Sequence, residues 1–421
     1  MVTASSDKHV AERATNLPTA GRAGALIAVL AALTAVAPLA IDMYVPGFPS
    51  MGQSLGTTSS AVQLTMTAFL AGLVVGQVLL GPVSDAIGRR GLLIGGSAGF
   101  AVVSVLCALA PNVELLTAAR FLHGVAGAVG MVLARAVLTD LFHGPALPRY
   151  FALLAQITGI APIVAPVIGG AILAVSTWRA VFAALAVVGV LLLVSVLAKV
   201  PESLPRERRR SDGLGGTFRA MGRLAADRSF LGYVLVLAFA SAAMFTYIAG
   251  SSFVFESIHG VSATAYSVIF ACNALGMLVA SSVFGRLAGR VGLTRLLTVG
   301  VGILTVGAAG QVVVRLVAGE TMAGTLATLF LTLVGVGVIF PATMTIGQTL
   351  GRGAPGAASA LLGGLQFLAG ALVSPLVGLF GDASSLPMAT IMLGAALLTV
   401  AALVVMARPG RGLGEPVPVR G

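Results

Sequence analysis

Gly81-Pro82-Val83-Ser84-Asp85-Ala86-Ile87-Gly88-Arg89-Arg90 is a compact charged stretch wedged between two long apolar runs. It is too short to link two domains and too polar to lie in lipid, so it reads as a tight hairpin at a membrane face. Two glycines seven residues apart bracket an acid, and an arginine pair follows.

The chain around it is built for a bilayer. Mean hydropathy is +1.03, and 57% of the residues are hydrophobic while only 9% are charged, far from the composition of a soluble domain. At roughly 20 apolar residues per helix, the 421 residues hold about a dozen spans. Runs such as Ala183 to Leu197 are apolar throughout, without the alternation that barrel strands require. Spans are expected near 22–48, 59–80, 92–110, 114–138, 150–174, 178–199, 229–255, 263–285, 294–316, 320–347, 356–380 and 386–407.

The net charge of +11 does not point to nucleic acid, because the basic residues are neither gathered on one soluble domain nor interleaved with stacking aromatics. They fall in alternate loops. With the N-terminus inside, 21 of the 25 lysines and arginines lie on the cytoplasmic side, so both termini are expected there. The expected organisation is a tail (1–21), a six-helix bundle (22–199), a cytoplasmic linker (200–228), a second bundle (229–407) and a tail (408–421). The linker carries Arg206, Arg208, Arg209 and Arg210, suited to anionic headgroups, with a short surface helix around Phe218 to Leu224. Cys107 and Cys272 fall inside apolar runs and are expected as buried free thiols. A shift of 204 residues lays Gly81 and Gly88 over Gly285 and Gly292, while Gly289 faces Asp85. That is the trace expected of two related halves around a central cavity.

The opening decapeptide resembles the signature loop between helices 2 and 3 of the major facilitator superfamily, whose usual pattern is G-x-x-x-D-x-x-G-R-R/K. The resemblance implies an all-α polytopic membrane protein, with twelve transmembrane helices in two pseudo-symmetric six-helix bundles. Asp85 could there meet the positive end of the eleventh helix and pair with Arg135 or Arg149, closing the cytoplasmic side. Arg89 and Arg90 could serve only as topology markers.

Ionisable groups within spans are rare and costly. Asp42 ends the first apolar run, and Arg120 lies in the fourth. Residues alone leave Asp42 open between a proton-binding carboxylate and an interfacial aspartate: about 20 residues at 1.5 Å each put it roughly 30 Å from Arg22. The segment Ile41-Asp42-Met43-Tyr44-Val45-Pro46-Gly47-Phe48-Pro49 resembles the first-helix signature of drug:proton antiporters of the Bcr/CflA branch, in which the aspartate faces the central cavity. Arg120 matches the fourth-helix arginine of that family, which is implicated in proton transfer. The resemblance implies that Arg120 holds Asp42 ionised in one conformation and releases it in another. His123, one turn on, is read as a satisfied packing residue rather than a relay.

In the fifth span, Ala161-Pro162-Ile163-Val164-Ala165-Pro166-Val167-Ile168-Gly169-Gly170 resembles the antiporter motif A-P-x-x-A-P-x-x-G-G of the same branch, which is associated with exporters. Pro162, Pro166, Gly169 and Gly170 would shape close packing. Tyr44, Met66, Phe69, Met244, Phe245, Tyr247, Asn273, Met277, Gln366 and Phe367 are candidates to line the substrate cavity. Neither an ATP-binding G-x-x-x-x-G-K-[ST] loop nor a metal or hydrolase constellation is visible, so no cofactor, metal or catalytic residue is expected; the resemblance implies the proton gradient as the driving force. The implied function is proton-coupled export of small, largely apolar drugs or secondary metabolites by a monomer in the bacterial inner membrane, with no nucleic-acid partner. The alternative is a nutrient importer using proton symport on the same fold.

Overall fold

The computed structural model describes residues 20–142, 146–209, 213–379 and 384–408. Fourteen α-helices follow in order: α1 (Ala20–Asp42), α2 (Phe48–Leu55), α3 (Ser59–Ile87), α4 (Arg89–Leu109), α5 (Val113–Leu141), α6 (Ala146–Val175), α7 (Trp178–Lys199), α8 (Gly213–Ala226), α9 (Arg228–Ser252), α10 (Ala263–Val291), α11 (Leu293–Ala318), α12 (Met322–Leu350), α13 (Pro355–Gly378) and α14 (Leu386–Ala401). Among the described residues, twelve segments are long and apolar enough to cross a membrane; the first runs through α1 and α2. Helix starts follow local chemistry: Thr58, Asn112, Asp227 and Ser262 each accept a backbone N–H with the side chain and so cap α3, α5, α9 and α10.

The opening decapeptide is not a hairpin loop. α3 stays helical through Ile87 and α4 begins at Arg89, so the whole reversal falls on Gly88, at φ 108°. A side chain at that φ would be strained, which is why glycine stands there. The two-half expectation has a direct backbone counterpart. Shifted by 204 residues, α3 superimposes on the bounds of α10, cap Thr58 on cap Ser262, and Gly88 on Gly292, which has φ 89°.

The first half packs α3 on α5, α4 on α5 and α7, and α1 on α5, α6 and α7; the second half packs α11 on α12, α10 on α12, and α9 on α13 and α14. The halves meet along two seams, α3 with α13 and α6 with α10. α8, longer than the short surface helix expected there, lies against α3, α9 and α13 at the Gly88 end. At the far end Gln63 Nε2 donates to the Ala249 carbonyl at 3.0 Å across the seam. The Phe48 and Phe253 rings stand 6.1 Å apart there.

α6 is continuous despite Pro162 and Pro166. A Cβ on Gly169 would strike the Met43 carbonyl of the first half, and one on Gly170 would strike the Ser267 hydroxyl of the second. The glycine pair therefore lets one helix press on both halves at once. Cys107 is buried, but Cys272, expected buried, is exposed.

Candidate functional site: two buried ionisable groups and a charged turn

The first span is broken just before Pro46. α1 stops at Asp42 and a 3-10 turn, Val45–Gly47, with Pro46 in its first positions, leads into α2. Asp42 therefore lies inside the first long apolar segment, which runs on through α2, rather than at its end. It is 3% exposed, and its Oδ1 has no hydrogen-bond partner.

The break also leaves the last carbonyls of α1 without helical partners. Arg120 of α5, fully buried, takes one of them: its Nη2 donates to the Ala40 carbonyl at 3.0 Å. Its guanidinium lies over the rings of Tyr44 (4.3 Å), Phe69 (4.1 Å) and Phe182 (5.6 Å). Cation–π contacts without water are worth about 2 kcal/mol. Nη1 meets His123 Nδ1 at 2.9 Å, and His123 Nε2 meets Ser104 Oγ at 2.9 Å. A guanidinium can only donate, so Nδ1 accepts and Nε2 carries the proton; the Ser104 hydroxyl is then free to donate to the Phe100 carbonyl at 2.7 Å. Both ring nitrogens of His123 are satisfied in this arrangement, as a packing residue's would be.

Arg120 and Asp42 form no ion pair among the described residues in this arrangement. The Asp42 carboxyl lies within electrostatic range of Tyr247 of α9 and Tyr266 of α10, both in the second half. Asn273 Nδ2 donates to Tyr247 Oη at 3.0 Å.

The residues expected to line the cavity divide. Tyr44, Met66 and Phe69 are fully enclosed in the first half, Tyr44 and Phe69 as faces of the Arg120 cage. Tyr247 and Asn273 are buried in the second half. Gln366, Met244 and Met277 are half-buried, and the Phe245 and Phe367 rings stand 6.0 Å apart.

At the Gly88 end the pairing also differs from expectation. Asp85 bonds Arg89 (2.6 Å), not Arg135 or Arg149, which are exposed and form no ion pair among the described residues. Arg89 and Arg90 are more than topology markers. Arg89 is 8% exposed, touches the Ser84 hydroxyl and reaches Asp140 at 3.2 Å. Arg90 donates to the carbonyls of Val200 and Leu197. Glu202 accepts the backbone N–H groups of Arg89 (2.9 Å) and Arg90 (3.3 Å), capping the positive end of α4. Burial alone would raise the Glu202 carboxyl; the N–H groups of Arg89, Leu204 and Arg90 and the Arg209 guanidinium outweigh it and hold the group below its usual range.

Asp140 and Glu202 were not legible as partners of the turn, since 51 and 113 residues separate them from Arg89. Glu256 was missed because the seventh span was expected to stop at residue 255. It continues as a π-helical segment, Phe253–Ile258.

The sequence profile of the Major Facilitator Superfamily matches residues 30–374. An MFS-type transporter of Bacillus subtilis, YdgK, is 39% identical over 90% of this chain and 95% of its own. A bicyclomycin resistance protein homolog of Haemophilus influenzae is 30% identical over 66% of this chain and 70% of its own. A chloramphenicol resistance protein of Pseudomonas aeruginosa is 31% identical over 75% and 74%. Among solved structures, an inward-facing, occupied bacterial homolog of the human lysosomal transporter Spinster matches with a TM-score of 0.73 at 12% identity, over 96% of this chain and all of that one. The chain belongs to the major facilitator superfamily and is a multi-pass membrane transporter, not an enzyme.

Proposed function

We propose that this transporter is a proton-coupled antiporter that exports small, largely apolar drugs or secondary metabolites across a bacterial inner membrane. It acts as a monomer with both termini in the cytoplasm, and the proton gradient drives it. The observation that carries the reading is Asp42: a carboxyl buried in the protein, with an oxygen that nothing satisfies, within electrostatic range of two tyrosines of the other half. A buried unpaired carboxylate is expensive. Gaining or losing a proton there changes the energy of whichever arrangement encloses it, and that is the leverage an exchanger needs. Relatives named for bicyclomycin and chloramphenicol resistance support drugs as cargo and export as the direction.

In the proposed cycle, a proton from outside neutralises Asp42 and displaces substrate, the halves rock inward, and release of the proton lets new substrate bind. Arg120 holds the end of α1, and so the position of Asp42, through the change.

The test uses inverted vesicles with an imposed pH gradient. Labelled chloramphenicol or bicyclomycin should accumulate with the wild type and not with Asp42→Asn. Accumulation that persists in Asp42→Asn overturns the coupling step. Movement of substrate in the same direction as protons would instead make the chain a symporter.

A further inference from the structure

Asp42 sits in the first half, yet the hydroxyl groups of Tyr247 and Tyr266, which lie within its electrostatic range, belong to the second. Tyr247 (1% exposed), Ser251 and Tyr266 (both fully buried) form a connected set. Ser251 Oγ and Tyr266 Oη are 2.7 Å apart, and Ser251 also lies against the Tyr247 hydroxyl. Asn273 donates to Tyr247 Oη at 3.0 Å, which leaves the tyrosine's own proton free to be given elsewhere.

At the far end of this set α9 widens into the π-helical segment that carries Glu256. Such widenings are frequent at functional sites. Three buried polar atoms lie unpartnered within eight residues there: Ser252 Oγ, Glu256 Oε1 and His259 Nε2. Atoms of this kind mark a place that water or a mobile proton enters. Glu256 is half-buried, and the Tyr266 hydroxyl is within its electrostatic range, as it is within that of Asp42. The segment packs on α9, α10 and α2. The ionisable groups those elements bring toward Glu256 are Tyr266 of α10 and, beyond Ser251, Tyr247 of α9; α2 brings none, and His259 follows on the same strand of chain.

We propose that Glu256, Tyr266, Ser251 and Tyr247 form a proton relay that loads Asp42 from the far face of the membrane, with its switch at the seam between the halves. The proposal rests on Asp42 being the proton-binding group of the antiporter. A proton taken up by the Glu256 carboxylate passes to Tyr266 Oη as Tyr266 gives its own to Ser251, Ser251 to Tyr247, and Tyr247 to Asp42 Oδ1. Each O–H bond that breaks is replaced by one that forms, so Glu256 returns to carboxylate and the hydroxyls stay neutral. Ser251 and Tyr266 are joined at 2.7 Å and Ser251 follows Tyr247 by one helical turn, whereas Glu256 Oε1 at the entry and Asp42 Oδ1 at the exit are both unpartnered; the exit is the link between the halves, and it is open in this arrangement. An open link keeps a carrier from leaking protons. Relative movement of the halves closes it, because Asp42 and Tyr247 stand on different halves.

The experiment needs no substrate. The full chain, reconstituted in vesicles in a single orientation, is given a rapid pH jump on one side, and the carboxyl infrared band that Asp42→Asn removes is followed in time. Glu256→Gln and Tyr266→Phe should each slow the rise of that band after a jump on the far side by about a hundredfold, the low end of what a positioned proton-transfer group contributes. Jumps on the Gly88 side should give wild-type rates, a difference that general damage to the fold would not produce, and Glu256→Asp should restore most of the far-side rate. Wild-type rates from both sides in Glu256→Gln and Tyr266→Phe overturn the relay and leave the antiport reading standing. A wild type with no titrating Asp42 band overturns both.

Discussion

Asp42 and Arg120 are two ionisable side chains of one bundle, both sealed from solvent, and their surroundings are opposites. Arg120 has a helix-end carbonyl, a neutral imidazole and three aromatic faces around it. Asp42 has an oxygen with nothing. A guanidinium never gives up its charge, so burial is tolerable only when the charge is surrounded by partners. A carboxyl can shed its charge instead, so it can stand alone. The difference separates a charge used to build the site from one used to work it.

The sharpest way to break that contrast is to empty the saturated position. Arg120→Met fills similar volume but leaves the Ala40 carbonyl and His123 Nδ1 without a donor, each costing about 1–3 kcal/mol, and removes cation–π contacts worth about 2 kcal/mol. The expected loss is about 3–5 kcal/mol, seen as a marked fall in Tm in detergent and in membrane expression. Arg120→Lys keeps the charge but not the planar stacking, and should fall between the two. A methionine variant as stable as the wild type would sink the structural role.

Asp42→Asn is the opposite experiment. The amide keeps the volume and removes only the option of charge, so Tm should hold or rise while gradient-driven transport is lost. If Asp42→Asn destabilises the protein as Arg120→Met does, Asp42 is a structural ligand and the two positions are alike.

The sequence carries much of this, and the limits are specific. The spans were legible because hydropathy and basic loops are local signals; α7 has the expected bounds to the residue. The repeat was legible because Gly88 and Gly292 are demanded by the backbone. Asp42 and Arg120 stood out singly as charges in apolar runs. Their relation did not: α1 ends at Asp42, and in this arrangement Arg120 takes the Ala40 carbonyl near that end, which no local pattern announces. Asp140 and Glu202 had no local signal, since only the folded chain brings them to the turn. Glu256 was hidden by an apolar run that was cut three residues short of its helical end.

The smallest effect concerns a third acid. Glu202, on the linker, is what Asp42 would be if saturated: it accepts the N–H groups of Arg89, Arg90 and Leu204 and lies 3.8 Å from Arg209 Nη2. Its carboxyl is therefore held below the usual range in the folded state, whereas in the unfolded chain it titrates near about 4.3. A depressed group stabilises the fold in full above its unfolded value, and that contribution fades as pH falls toward and through the folded one. The Tm difference between wild type and Glu202→Gln should be steady from neutral pH down to about 5, then shrink below about 4.3. It should also be small at every pH, because the side chain is one-third exposed and solvent screens it. A difference that grows on acidification would mean that Glu202 is protonated in the folded protein, and the contrast between a saturated acid at the turn and an unsatisfied one at the seam would fail.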